Sequence, residues 1–180
     1  AGVAAAALTT FVRHLRHTSL LRRTLTSAAR KASTASSSSS SSSSTFRMAL
    51  CQLSVTTDKA HNLKEAAKAI QEASKRGAHL ISLPECFQSP YATDQFEKYA
   101  ETIPDQAADI DAAVHPSMAM LRDEAIRNNV YIIGGSIPER FNERIFNTCV
   151  VFGPKGDILA RHRKMHQRAT RRLVLRLRGG

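Results

Sequence analysis

The sequence has no CxxC spacing, and its three cysteines, Cys51, Cys86 and Cys149, are odd in number and scattered. That excludes a zinc knuckle and a disulfide framework, and it favours a reducing compartment in which each thiol is a small buried apolar residue. No apolar run approaches the roughly 20 residues that span a bilayer as a helix, so no membrane association is expected. Acid is missing from both ends. Residues 1–47 carry seven basic residues and residues 161–180 carry eight, with no Asp or Glu in either segment. Taking those fifteen from the 26 Lys and Arg leaves eleven against all 15 acids, so the middle of a chain of net charge +11 stands at −4. A nucleic-acid binder concentrates positive charge on its folded surface, and here the charge belongs to the tails. No aromatic residue interleaves with the carboxy-terminal arginines to stack on bases. Nucleic acid is therefore not an expected partner.

What is there divides into four stretches. Residues 1–35 are rich in Arg, Ser, Thr and Ala. Phe11 and Leu15 lie four apart, and Leu8, Val12 and Leu21 share much of that side of a helix, with Arg13, Arg16 and Arg23 in other directions. This is the pattern of a transit peptide; the uniformly apolar core of a secretory signal is interrupted by Arg13, His14 and Arg16. The expected destination is the mitochondrion, with the plastid as the alternative. Ser36 to Ser44 form an unbroken serine run within a linker over 36–45, which has nothing to bury in a core. Folded sequence is expected over 46–166. Residues 167–180 read as an unrelated basic tail.

Within 46–166, FRMALCQLSV (46–55) reads as a buried strand. Residues 62–76 put Leu63, Ala66, Ile70 and Ala73 on one helical stripe, with Asn62 as cap and Gly77 suited to the left-handed position after the end. AHLISLP returns as a strand ending at Pro84, and a short helix is expected around 96–100. Pro116 opens a second helix with Met118, Leu121 and Ala125 on one face. VYIIGGSI reads as a strand, FNER as a turn, and IFNTCVVFG as a further strand. The last, DILARHRK, pairs back across the tight GPKG turn as an antiparallel hairpin. Alternating strands and helices imply an α/β layered fold.

Three segments carry chemistry. In LPEC, Glu85 follows an apolar strand whose rigid end can aim a carboxylate into a pocket that raises its pKa for general-base work. In HRKMH, Lys164 follows the last strand, where an ammonium near that carboxylate can stabilise a developing oxyanion. His162 and His166 sit four apart, and no carboxylate or cysteine partner marks them as metal ligands. In IIGGSIPER, the glycine pair allows close backbone approach or positive φ, but it lacks the spacing of a phosphate loop or a dinucleotide-binding turn. Taken singly, Glu85 and Lys164 read more simply as solvated residues at strand ends.

Taken together and in order, ALCQLSV, LISLPECFQSPY, IIGGSIPER and IFNTCVVFGPKGDILARHRKMH resemble the amino-terminal half of the nitrilase superfamily, and closely its omega-amidase branch. The resemblance runs from Phe46 to His166, with a slightly longer surface insert around Ala107 to Val114. It implies part of a four-layer α-β-β-α sandwich that commonly forms homodimers. It also implies a Glu–Lys–Cys arrangement acting on small omega-amides of dicarboxylic acids, such as 2-oxoglutaramate and 2-oxosuccinamate. Glu85 would be the general base and Lys164 the charge stabiliser, with no metal or organic cofactor. A thiolate attacks the amide, ammonia leaves, and water hydrolyses the thioester.

The nucleophile of that family lies in a GICYD-like segment after the lysine, together with a second, supporting glutamate. Neither appears in the sixteen residues after Lys164. Cys86 neighbours Glu85, but on an extended backbone the two point to opposite sides. Cys51 and Cys149 read as core strand residues. The expectation is a truncated domain, inactive and poorly folded when expressed alone. The final LVLRLRGG resembles the carboxy-terminal tail of ubiquitin, though nothing else of ubiquitin's body is in the chain. A foreign end joined at a splice or assembly junction is the leading reading; a Gly-Gly-tailed modifier or a non-catalytic partner subunit is the other.

Overall fold

The computed structural model describes residues 46–164. The expected transit segment, the serine linker, His166 and the arginine-rich tail lie outside the described residues. Helix α1 spans Lys59–Lys75 and starts three residues before the sequence pattern places it. Its cap is Asp58, whose side chain accepts from His61 N at 3.0 Å. Asn62 lies inside the helix and is buried, because its amide meets a loop on both sides. It accepts from Thr56 N at 2.8 Å and donates to Thr56 O at 2.7 Å and Gln88 O at 3.2 Å. A carboxylate cannot make that pair of bonds, whereas Asp58 needs only to accept. Ala66, Ile70 and Ala73 are buried and Leu63 packs at their edge, while Gly77 follows the helix at φ +80°. Full burial of a side chain such as Ile70 is worth about 1.5–3 kcal/mol, which sets helix against sheet.

Strand β1 (Met48–Leu50) is shorter than the expected 46–55, and Cys51 N adds one further bond to Ser82 O at 2.9 Å. Beyond it, Thr56 and Asp58 hydrogen-bond each other and turn the chain into α1. Strand β2 is Leu80–Ser82. The one-turn helix α2 (Phe96–Tyr99) buries Phe96 and Tyr99. Helix α3 (Pro116–Asn128) has proline in its first turn and ends on Asn129 in the left-handed region, with Met118, Leu121 and Ala125 buried.

The sequence pattern reads VYIIGGSI as one strand, but the glycines divide it. Strand β3 is Tyr131–Ile133, Gly135 turns the backbone at φ +59°, and β4 (Ile137–Phe141) begins after Ser136. Pro138, Glu139 and Arg140, between the expected strand and the expected FNER turn, are therefore strand themselves, as is Phe141, the first residue of that turn. The turn is confined to Asn142 and Glu143, a two-residue hairpin loop with Asn142 at φ +54°. Strand β5 (Arg144–Phe152) and β6 (Ile158–Arg163) form the expected antiparallel hairpin.

The sheet order is β1-β2-β3-β5-β4, with β6 on β5. β1, β2 and β3 are parallel, and β5 runs against β3, β4 and β6. Adjacent strand residues face opposite ways. Ile81, Ile132, Val150 and Phe152 join the core beneath α1 and α3, whereas Leu80, Ile133, Cys149 and Val151 form a second cluster on the other face. This is the mixed α/β fold that alternating strands and helices imply. The insert around Ala107 contributes to that core as well, since Ile110 is buried in it.

Candidate active site

The carboxyl end of β2 and the glycine turn after β3 are built against each other. Leu83 N donates to Ile133 O at 3.0 Å, and Cys86 N donates to the Ser136 hydroxyl at 3.1 Å. Between these bonds, a Cβ on Gly135 would stand 2.0 Å from Pro84 O. The turn takes glycine both for its positive φ and for the approach of the Leu83–Pro84 backbone. That approach fixes Glu85.

Glu85 Oε1 accepts two hydrogen bonds, from Lys164 Nζ at 2.8 Å and from Asn147 Nδ2 at 2.7 Å. Neither donor engages Oε2. Lys164 follows the last residue of β6, and its backbone N donates to Asn147 O at 2.9 Å, extending the β5–β6 ladder by one rung. Two residues 79 apart in sequence are thus brought into an ion pair whose side chains are 19% (Glu85) and 29% (Lys164) exposed. The pair is half-sheltered but reachable by a small molecule. The hydrogen bond to Glu85 pushes the Lys164 ammonium above the ordinary lysine value; burial opposes this, and the charge of Glu85 and the neighbouring Tyr91 add to it. Lys164 is therefore a permanent cation at neutral pH.

The sequence pattern singles out Glu85 and Lys164 and misses Asn147, Ser136 and Tyr91. Asn147 does carry a local signal: asparagine is a poor strand former, and it sits inside the mostly apolar strand β5. Its Oδ1 is buried with no hydrogen-bond partner among the described residues, so its orientation there is set by the bond to Glu85.

None of the three thiols sits as a ready nucleophile. Cys86 is in the left-handed region at φ +53°, not on extended backbone, so the opposite-sides argument for it does not hold. Burial and then the charge of Glu85 push its pKa up to about 11. Cys149 lies in β5, and burial pushes it up to about 12. Cys51 falls just beyond β1, half-buried and also raised by burial. A thiol that does not ionise near neutral pH is a poor attacking group.

Behind the site, on the helix-covered face, Glu139 is fully buried. Burial alone would raise its carboxyl, but hydrogen bonds from Arg163 and Thr148 hold it below the ordinary glutamate value. His162 pairs opposite Cys149 in the β5–β6 ladder. Among the described residues no group of three or more His, Cys, Asp or Glu is placed to hold a metal ion, and no helix is long and apolar enough to cross a membrane.

A parallel three-strand core, an antiparallel hairpin and a Glu–Lys pair at their meeting point define a mixed α/β layer of nitrilase type. The chain belongs to the carbon-nitrogen hydrolase family, whose pattern it matches over residues 47–178. It is 50% identical over 121 residues to the chloroplastic omega-amidase of Arabidopsis thaliana, covering 67% of this chain and 31% of that protein. It is 47% identical over 122 residues to omega-amidase NIT2 of Mus musculus, covering 68% of this chain and 41% of that protein. Among solved structures it resembles Saccharomyces cerevisiae Nit3, a member of branch 10 of the nitrilase superfamily. That likeness has a TM-score of 0.55 and 36% identity, and it covers 62% of this chain and 41% of that one. The chain spans less than half the length of these relatives.

Proposed function

We propose that these residues supply the base and the cation of an omega-amidase, hydrolysing the side-chain amide of small dicarboxylic monoamides of the 2-oxoglutaramate or 2-oxosuccinamate kind. The observation that carries this reading is the 2.8 Å contact between Glu85 and Lys164 at the sheltered end of the sheet. Glu85 takes the proton of an attacking thiol, and the thiolate sulfur bonds to the amide carbon. Lys164 offsets the charge that develops on the carbonyl oxygen. The carbon–nitrogen bond then breaks, Glu85 returns the proton to the leaving nitrogen, and ammonia departs. Water, deprotonated by the same carboxylate, bonds to the thioester carbon, the carbon–sulfur bond breaks, Glu85 returns the proton to the sulfur, and the diacid departs.

The attacking thiol in this reading comes from outside the 180 residues, since Cys51, Cys86 and Cys149 are each disfavoured by burial. The 180-residue chain alone is expected to release no ammonia from 2-oxoglutaramate, whereas the protein at the length its source makes releases ammonia and 2-oxoglutarate in equal amounts. Coupled ammonia assays on both forms check this. Turnover by the 180 residues alone contradicts the split site, and silence from the native-length protein contradicts the amidase reading. Homodimerisation and import through residues 1–35 belong to the same proposal. Of the two destinations, the chloroplastic description of the Arabidopsis relative favours the plastid over the mitochondrion.

A further inference from the structure

We infer that Glu139 is a positioning residue for the Glu85–Lys164 pair, acting through the sheet from the face opposite the site. Its catalytic meaning rests on the amidase reading; its geometry does not. Glu139 projects from β4, fully buried, and ties three strands together. Thr148 of β5 donates its hydroxyl to Oε2 at 2.5 Å. Arg163 of β6 donates from Nε to Oε2 and from Nη2 to Oε1, both at 2.7 Å. The guanidinium is also seated over two rings, 4.1 Å from the centre of Phe141 and 4.9 Å from that of Phe146.

Each arm of this clamp ends on the sequence neighbour of a site residue. Thr148 follows Asn147, and Arg163 precedes Lys164. Neighbouring strand residues point to opposite faces. The clamp behind the sheet and the Glu85 contacts in front of it therefore share the same two stretches of backbone. Thr148 and Arg163 are themselves directly paired across the β5–β6 ladder, one rung before Lys164 N meets Asn147 O. A buried carboxylate is kept only where its oxygens are met, and removing its charge strands the guanidinium that faced it. With the clamp released, the carboxyl end of β6 loses its tie to β4, and the 2.8 Å contact to Glu85 loosens with it.

The test is an NMR titration of the Lys164 side chain, with lysine labelled at Cε and the signal assigned by Lys164→Arg, in the protein at the length its source makes. Glu139→Gln is compared with Thr148→Val, which keeps the ion pair, and with Ile70→Val, a core change on α1 remote from the site. The Lys164 midpoint is expected to fall towards the ordinary lysine value in Glu139→Gln, to fall less in Thr148→Val, and to stay in place in Ile70→Val, although all three lower the melting temperature. In Glu139→Gln, kcat on the omega-amide falls about 10- to 100-fold while KM stays within about twofold, the pattern of a displaced group rather than lost binding. If Glu139→Gln does not fold, Thr148→Val carries the comparison. A melting temperature that drops while the Lys164 titration stays put overturns the inference. A titration that moves in a protein without amidase activity supports the clamp and overturns the amidase reading.

Discussion

Replacing Glu85 by glutamine is expected to lower kcat on an omega-amide about 10³-fold, with KM and melting temperature nearly unchanged. The amide keeps the shape of the carboxylate, and its oxygen still accepts from Lys164 and Asn147, which both bond to a single oxygen of Glu85. What it loses is the capacity to take a proton from a thiol and return it to nitrogen. Every step of the proposed reaction passes through that capacity, so a stable, well-folded variant with almost no turnover is the predicted result. Steady-state kinetics beside a thermal melt check it. Activity within threefold of the parent would remove Glu85 from the role of base. The paired Lys164→Met variant is expected to lose about 10²-fold through the oxyanion, and the double variant little more than Glu85→Gln, because the two residues act on one transition state.

The second large effect is on folding, at Gly135. An alanine there must adopt φ +59° and push its Cβ to 2.0 Å from the backbone oxygen of Pro84. The left-handed backbone costs an alanine about 1–2 kcal/mol, and forcing a methyl against a rigid backbone costs about 1–3 kcal/mol more. Gly135→Ala is therefore expected to lower the melting temperature by roughly 10 °C. Because Pro84 precedes Glu85, any relief of the clash moves the base, so residual folded protein should also turn over slowly. Gly77→Ala is the comparison: its φ is +80°, but its Cβ meets only the far end of the Arg47 side chain, which can swing away. It should lose about 1–2 kcal/mol, the backbone term alone. Equal losses at the two glycines would contradict the close-approach account.

Much of this was legible in the sequence because period and punctuation were local. The stripe of Ala66, Ile70 and Ala73, Pro116 at the start of α3 and Gly77 after α1 each announce themselves within a few residues. Glu85 and Lys164 stood out by their segments' resemblance to a family, not by local pattern, since one carboxylate after a strand has many uses. What the sequence hid was long-range. Asn62 looks like a cap until Gln88, 26 residues away, claims its amide. The glycine pair looks like a strand end, and only the backbone of Pro84 explains why the strand breaks there and restarts as β4. Asn147 meets Glu85 across 62 residues, and Glu139 meets Arg163 across 24. Pairings of that kind depend on strand register, which no single segment encodes.

The most direct test of the central claim is where the acyl group lands. The native-length protein is to be mixed with an omega-amide, quenched in acid during turnover, and mapped by peptide mass spectrometry for a thioester. The account predicts an adduct on a cysteine other than Cys51, Cys86 and Cys149, absent from Glu85→Gln. An adduct on Cys86, the thiol beside the base, would contradict it.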